Sequence, residues 1–379
     1  MKIIQLSKYY KPYSGGIESV VSDISENIEG DNNEVIVIAT DSQKLPKHEV
    51  INGIKIIRSK ELFSLFSTSI SPGYIYNMFK YRCCDIIHIH LPNPLANLAV
   101  FVSFLFARKI KMPKLIIHWH SDIIKQKKSL LFYTPLLNWL LSRADKIIVT
   151  SESYLKSSEQ LNGFKDKCDI IPIGINSLED KVNDDLVLAI KEKYRNKKII
   201  FTLGRHVYYK GFEFLLHAAP KISDETVILI GGIGPDTPKY NNLISDLNLE
   251  NKVFLIGRVS DDDLASYYYA ADIFCFPSIE KSEAFGVAQL EAMSLGIPVV
   301  STNIIGSGVP WVNLNMHSGL VCPPQDSSAL VETINTILHD DNLLTSLGKG
   351  AKERYVKLFS LPIMTKSINS LYHSIVNKN

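Results

Sequence analysis

Two glutamates, Glu283 and Glu291, are separated by seven residues across what reads as the junction of a loop and a helix. The run Asp272-Ile-Phe-Cys-Phe-Pro277 before them is a short apolar strand closed by proline. A polar loop leads to Gly286, a helical pattern continues to Leu295, and Gly296 with Pro298 stops it. This spacing puts Glu283 at the mouth of a helix N-terminus and Glu291 about a turn and a half inside it. The first amides of such a helix, those of Phe285, Gly286 and Val287, have no partner within it and favour an anion. Amides that hold an anion, flanked by carboxylates that accept from hydroxyls, suit a nucleotide sugar.

Cations stand in a comparable place earlier in the chain. Lys198-Ile-Ile-Phe-Thr-Leu-Gly-Arg205 is a strand running into a loop, and Lys210-Gly211 ends that loop before a helix from Phe212 to Ala219. Arg205 as a planar fork and Lys210 as a point charge suit a diphosphate. A solvated surface loop fits the same pattern. Near the N-terminus, strand Lys2–Leu6 opens into Gly15-Gly16 ahead of an amphipathic helix carrying Val20, Val21, Ile24 and Ile28. The glycine pair lets backbone approach a ligand closely, or makes a tight turn with positive φ. The spacing GxGxxG is absent.

Two apolar strands, Cys84–His90 and Lys114–His120, each end in His-x-His. Alternation puts His88 and His90 on one face, and His118 and His120 likewise. Four histidines suffice for a metal, but no acidic or thiolate partner stands at matching spacing, so none is expected. His88 and His118 read as packed core residues. His120, last before Ser121-Asp122, is the one expected to face a ligand. Asp261-Asp-Asp263 precedes the helix Leu264–Ala271 and reads as its cap and dipole match rather than a metal site.

The elements that position these groups alternate strand and helix, the pattern of doubly wound parallel sheets. Glu34–Ala39 and Ile51–Ile57 read as further strands, as does Lys146–Thr150, and Asp169–Asn176 ends the first half. Ser177 to Asp185 is polar and acid-rich, an expected interdomain linker. The chain has 379 residues, 46% hydrophobic and 21% charged, enough for two domains with substantial cores. A net charge of +2 carries no nucleic-acid signature. Five cysteines with no CxxC, one of them inside an apolar strand, argue for a reducing compartment. No apolar run reaches the length of a spanning helix, so a cytoplasmic chain is expected. Between 101 and 143, Arg108, Lys109, Lys111, Lys114, Lys125, Lys127 and Lys128 are interrupted only by Asp122. Phe101, Phe104, Leu105, Phe106, Tyr133, Leu136, Leu137, Trp139 and Leu140 lie in the same window. Basic residues beside an aromatic helix suit docking on an anionic bilayer, and a solvated edge beside a core helix is the plain alternative.

Taken in order, Gly15-Gly16-Ile17-Glu18, His118-Trp-His-Ser-Asp122, Gly204-Arg205 with Lys210-Gly211, and Glu283-x7-Glu291 with Gly286 resemble glycosyltransferase family four. The His118–Gln126 stretch is most similar to bacterial mannosyltransferases of O-antigen or exopolysaccharide synthesis. The resemblance implies the α/β GT-B fold, two Rossmann-like domains facing each other across a cleft. Residues 1–180 would form the acceptor-side domain and 181–359 the nucleotide-sugar domain, with a last helix at about 360–379 returning to the first. It implies that Gly15 and Gly16 belong to the donor site, Gly16 bringing backbone near the β-phosphate, and that Arg205 and Lys210 hold the diphosphate. Glu291 would accept from the ribose diol, and backbone near Val259 would meet the base. Glu283 and the amides of Phe285, Gly286 and Val287 would hold the donor sugar, and His120 would contact it near the scissile bond. It further implies a retaining hexosyltransferase, without cofactor or metal, using GDP-mannose and a lipid-linked saccharide acceptor at the inner face of the cytoplasmic membrane. UDP-sugars and soluble acceptors are the alternatives within the same fold, and a non-catalytic sugar-nucleotide-binding subunit is the non-enzymatic one.

Overall fold

The computed structural model describes residues 1–377 except 14, 29, 31–32, 66–67, 107–111 and 124–126, with backbone alone at 127–132. Two units divide the chain, Met1–Gly174 with Leu361–Asn379, and Ile175–Ser360.

Short runs of three to eight residues make the strands of the first unit. They are β1 (Lys2–Leu6), β2 (Glu34–Asp41), β3 (His48–Ile51), β4 (Ile54–Lys60), the small pair β5 (Phe63–Leu65) and β6 (Thr68–Ile70), β7 (Ile86–Leu91), β8 (Lys114–Trp119), β9 (Lys146–Val149) and β10 (Cys168–Ile170). The main sheet has the order β10-β9-β8-β7-β1-β2-β4-β3. All its pairings are parallel except β3 with β4. Parallel strands are buried on both faces by their crossover helices, so β1, β2 and β7 are buried along nearly their whole length. The expected single strand at Ile51–Ile57 is instead the turn of a hairpin. Asn52 and Gly53 both take positive φ, +49° and +79°, the geometry of a two-residue turn that reverses the chain.

The second unit carries β11 (Lys198–Leu203), β12 (Thr226–Gly231), β13 (Val253–Gly257), β14 (Ile273–Phe276), β15 (Val299–Thr302) and β16 (Gly319–Cys322). They form one parallel sheet in the order β13-β12-β11-β14-β15-β16. Its core joins Ile200, Ile228 and Ile230 to Phe212, Leu216, Ile334 and Leu347 from the covering helices.

The boundary falls at Gly174/Ile175, and Ser177–Asp185 is not a free linker. The Leu178 amide donates to Ser294 Oγ at 3.3 Å, and the Asn183 amide to Ser266 Oγ at 2.9 Å. The Asn183 side chain caps the helix Asp184–Lys193. These bonds fasten the segment to the second unit. The last helix, Leu361–Val376, belongs to the first unit. Leu361, Met364, Ile368, Leu371, Tyr372 and Ile375 recur at helical spacing and are buried. Each such side chain stabilises the docking by about 2 kcal/mol.

Candidate active site

In the second unit the order of strands reverses between β11 and β14. Crevices for ligands form outside the carboxyl ends of parallel strands at such a switch point. Arg205 and Lys210 follow β11, and Glu283 and Gly286 follow β14, so the reversal brings the two groups together. Lys210 Nζ meets Glu283 Oε2 at 2.5 Å, with each side chain only 14% exposed. Ser278 Oγ donates to the same carboxylate at 3.4 Å, and Ser307 Oγ to the Glu283 carbonyl at 2.5 Å. Lys210 also lies over the Phe276 ring, 5.1 Å from its centroid. Arg205 is exposed at the same rim.

The helix Val287–Ser294 begins at Gly286, whose φ is +81°. The amides of Phe285, Gly286 and Val287 donate no hydrogen bond within the chain among the described residues. Phe285 is buried against Trp311 and Phe359, which fixes where that helix starts. Glu291 is half-buried and accepts from Tyr268 Oη at 2.7 Å. Exclusion of water pushes its carboxyl above the ordinary carboxylate range, and the Tyr268 hydroxyl pulls it partly back. Val259, half-buried, packs beside Gly231 at the end of β12. Tyr268, Ser278 and Ser307 hold the glutamates in place, and no motif marks them. Asp263 does not cap its helix through its side chain; it accepts from Ser260 Oγ at 2.7 Å, and Ser260 takes the Asp263 amide instead.

Gly211 is the hinge of the Lys210 loop. Its φ is +69°, and a Cβ there would overlap the Pro277 carbonyl oxygen, backbone that cannot swing away. Gly211→Ala is therefore expected to destabilise the second unit by about 3 kcal/mol. A urea titration followed by tryptophan fluorescence checks this; a change within error of zero would show that the loop can move.

The first unit reverses its strand order between β1 and β7. Gly15 and Gly16 follow β1. Gly15 is extended, with φ −179°, and Gly16 is absent from the positive-φ residues, so the pair is not a left-handed turn. Gly16 opens the helix Gly16–Glu26, and a Cβ added there would meet nothing within 4 Å. His120 follows β8 and is 7% exposed. Its turn is pinned by Asp122, which accepts from Trp119 Nε1 at 3.1 Å and from Ser158 Oγ at 2.6 Å.

His88, His90, His118 and His120 form a stack across β7 and β8, with ring centroids 4.3–5.5 Å apart and planes within 24° of parallel. Nitrogens of His88, His90 and His118 lie within 4.8 Å of one another. Nearly parallel rings do not direct three lone pairs at one ion, and both His90 nitrogens already have partners. Burial pushes His88 and His120 down to about 3, and His90 and His118 well below the usual imidazole range. All four are neutral at physiological pH.

The basic and aromatic window is reached only in part. Arg108, Lys109, Lys111 and Lys125 lie outside the described residues, as do the side chains of Lys127 and Lys128. Lys114 pairs with Asp145 at 3.4 Å. Leu137 and Leu140 are buried, and Trp139 packs edge-on against Phe101 and Phe104. Leu137 and Leu140 are thus core residues of helix Lys127–Arg143, while Trp139, Phe101 and Phe104 of helices Pro94–Leu105 and Lys127–Arg143 are half-buried. Leu105 and Phe106 are the strongly exposed apolar residues among the described part of this window. No helix among the described residues is long and apolar enough to cross a membrane.

Two doubly wound units, each with polar loops gathered at its switch point, are the architecture of the GT-B glycosyltransferases. Residues 14–177 match the family model Glycosyltransferase Family 4, and residues 185–354 match Glycosyl transferases group 1. The chain belongs to this glycosyltransferase family, and it is an enzyme. It is 29% identical over 380 residues to the O-antigen chain mannosyltransferase C of Escherichia coli, covering 99% of each chain. It is 28% identical over 368 residues to the D-rhamnosyltransferase WbpZ of Pseudomonas aeruginosa, covering 95% of this chain and 92% of the relative. Among solved structures, Anabaena HepE in complex with UDP has a TM-score of 0.82 at 20% identity, over 99% of this chain and 100% of that one. The sucrose-phosphate synthase of Thermosynechococcus elongatus has a TM-score of 0.80 at 22% identity, over the whole of both. These structures share the fold.

Proposed function

We propose that the chain is a retaining transferase moving mannose from GDP-mannose to a lipid-linked saccharide in bacterial surface polysaccharide synthesis. The observation that carries this reading is the Lys210–Glu283 pair beside the unpaired amides of Phe285, Gly286 and Val287. It sets a cation, a hydroxyl acceptor and a helix N-terminus side by side at a switch point, as a sugar diphosphate requires. The full-length likeness to an O-antigen mannosyltransferase supports the choice of sugar and acceptor.

In this mechanism the bond from the anomeric carbon to the diphosphate oxygen breaks. Negative charge on the leaving diphosphate is met by Arg205, Lys210 and the three amides, without a metal ion. Glu291 accepts from the ribose diol, Val259 backbone borders the base, and Gly15-Gly16 approach the β-phosphate. Glu283 and His120 hold hydroxyls of the transferred sugar. The acceptor attacks on the face the diphosphate leaves, and a diphosphate oxygen takes its proton. A glycosyl adduct trapped on Glu283 would sink this same-face step. Leu105 and Phe106 support attachment of the first unit to a bilayer surface from the cytoplasmic side.

Thermal-shift titration with GDP-, UDP- and ADP-sugars tests the donor. GDP-mannose should raise Tm most, by an amount growing with the logarithm of its concentration. A response to UDP-sugars alone overturns the donor assignment and leaves the fold and family untouched.

A further inference from the structure

The last helix reaches His120 through a chain of buried polar groups that no donor or acceptor role accounts for. Gln5 Nε2 donates to Tyr372 Oη at 3.0 Å, and Tyr372 Oη lies 2.6 Å from His88 Nδ1. His90 Nε2 lies 3.0 Å from Gln5 Oε1, and His90 Nδ1 lies 3.0 Å from His120 Nε2. Gln5, His88 and Tyr372 are fully buried and His90 is 1% exposed, so water cannot stand in for any missing partner.

Proton bookkeeping along this chain has one solution once the Gln5 amide is oriented. The Gln5 carbonyl only accepts, so the single proton of neutral His90 sits on Nε2. His90 Nδ1 is then bare and must accept, so His120 donates to it from Nε2. Tyr372 Oη, already accepting from Gln5, gives its own proton to His88 Nδ1. The donations thus run one way, from His120 through His90, Gln5 and Tyr372 to His88, which only accepts.

We propose that Gln5 and His90 are positioning residues that hold His120 in the Nε2–H tautomer, leaving its Nδ1 lone pair as the acceptor offered to a hydroxyl of the transferred sugar. The last part rests on the reading that His120 contacts that sugar. In the other tautomer His120 would present an N–H to the sugar, and the hydroxyl would have to accept rather than donate. The C-terminal helix thus joins the hydrogen-bonded chain behind His120 through Tyr372.

Nitrogen-15 NMR of histidine-labelled protein without substrate reads the tautomer directly. His120 is assigned by the signal lost in His120→Asn. A protonated Nε2 and a bare Nδ1 are expected for both His90 and His120; a proton on Nδ1 of His120 overturns the proposal from the wild-type spectrum alone. Gln5→Leu removes the acceptor of His90, and a mixture of His120 tautomers is expected. Its kcat should fall about tenfold while KM for the donor holds, since Gln5 acts through its neighbours. A folded Gln5→Leu protein with an unchanged His120 signal also overturns it. Transfer undiminished in His120→Ala would instead overturn the sugar contact and leave the tautomer assignment standing.

Discussion

Lys210→Ala is expected to lower the transfer rate by about 10²–10³-fold, the effect of deleting one charge-stabilising donor from a preorganised site. Its second effect is on stability. Lys210 and Glu283 are each 14% exposed and meet at 2.5 Å, so removing one leaves the other charged among groups that cannot solvate it. Breaking such a pair from one side costs about 3 kcal/mol. The two effects separate in a double variant. Lys210→Met with Glu283→Leu fills the same volume without a charge, so stability should return to near the wild-type value. Transfer should not return, because the cation that meets the leaving diphosphate is gone. Urea denaturation and donor turnover on the two single variants and the double one give the full cycle. Recovery of turnover in the double variant would make the pair a structural strut and nothing more.

Acid should unfold the first unit ahead of the second. His88, His90, His118 and His120 are held neutral by burial, their folded pKa values depressed to about 3 for His88 and His120 and well below the imidazole range for the others. In the unfolded chain each takes a proton below about pH 6.5. The unfolded state then binds more protons than the folded one, so stability is complete above that pH and falls as pH falls towards the folded values. At pH 5 His88 and His120 each cost about 2 kcal/mol, and His90 and His118 act in the same direction. That is a large share of the whole stability of a typical domain, about 5–15 kcal/mol. Hydrogen exchange at pH 5 against pH 7.5 should show β1, β7 and β8 losing protection while β11, β12 and β14 keep theirs. Equal loss in both units would refute the assignment. His118 sharpens the test, because neither of its ring nitrogens has a partner. His118→Phe keeps the stacking surface and removes two unsatisfied polar atoms, so it should stabilise the protein, more at pH 5 than at pH 7.5.

Much of the active site depends on local sequence. Glu283 sits at a helix mouth because proline closes the strand before it and Gly286 supplies the left-handed residue that starts the helix. Strands such as Ile86–Leu91 and Val299–Thr302 are legible as apolar runs because parallel strands are buried on both faces. The helix Ser327–Leu338 is legible from its 3.6-residue spacing and its Asp326 cap. Where a local rule was passed over, the signal was still present. Asn52-Gly53 marks the β3–β4 hairpin, and Gln5, a lone amide within an apolar strand, marks the polar chain behind His120.

Other features had no local signal. Lys210 and Glu283 are 73 positions apart, Gln5 and Tyr372 are 367 apart, and Tyr268 reaches Glu291 from a different helix. The sequence by itself determined which segments are strands and helices and which loops carry charge, since periodicity, caps and turn residues act within a few positions. Only the tertiary structure decided which loops share a rim, because strand order is chosen by the packing of whole crossover units. The same packing presses four histidine rings into one stack and keeps them neutral, and it sets Phe101 and Phe104 edge-on against Trp139 while Phe106 stays exposed.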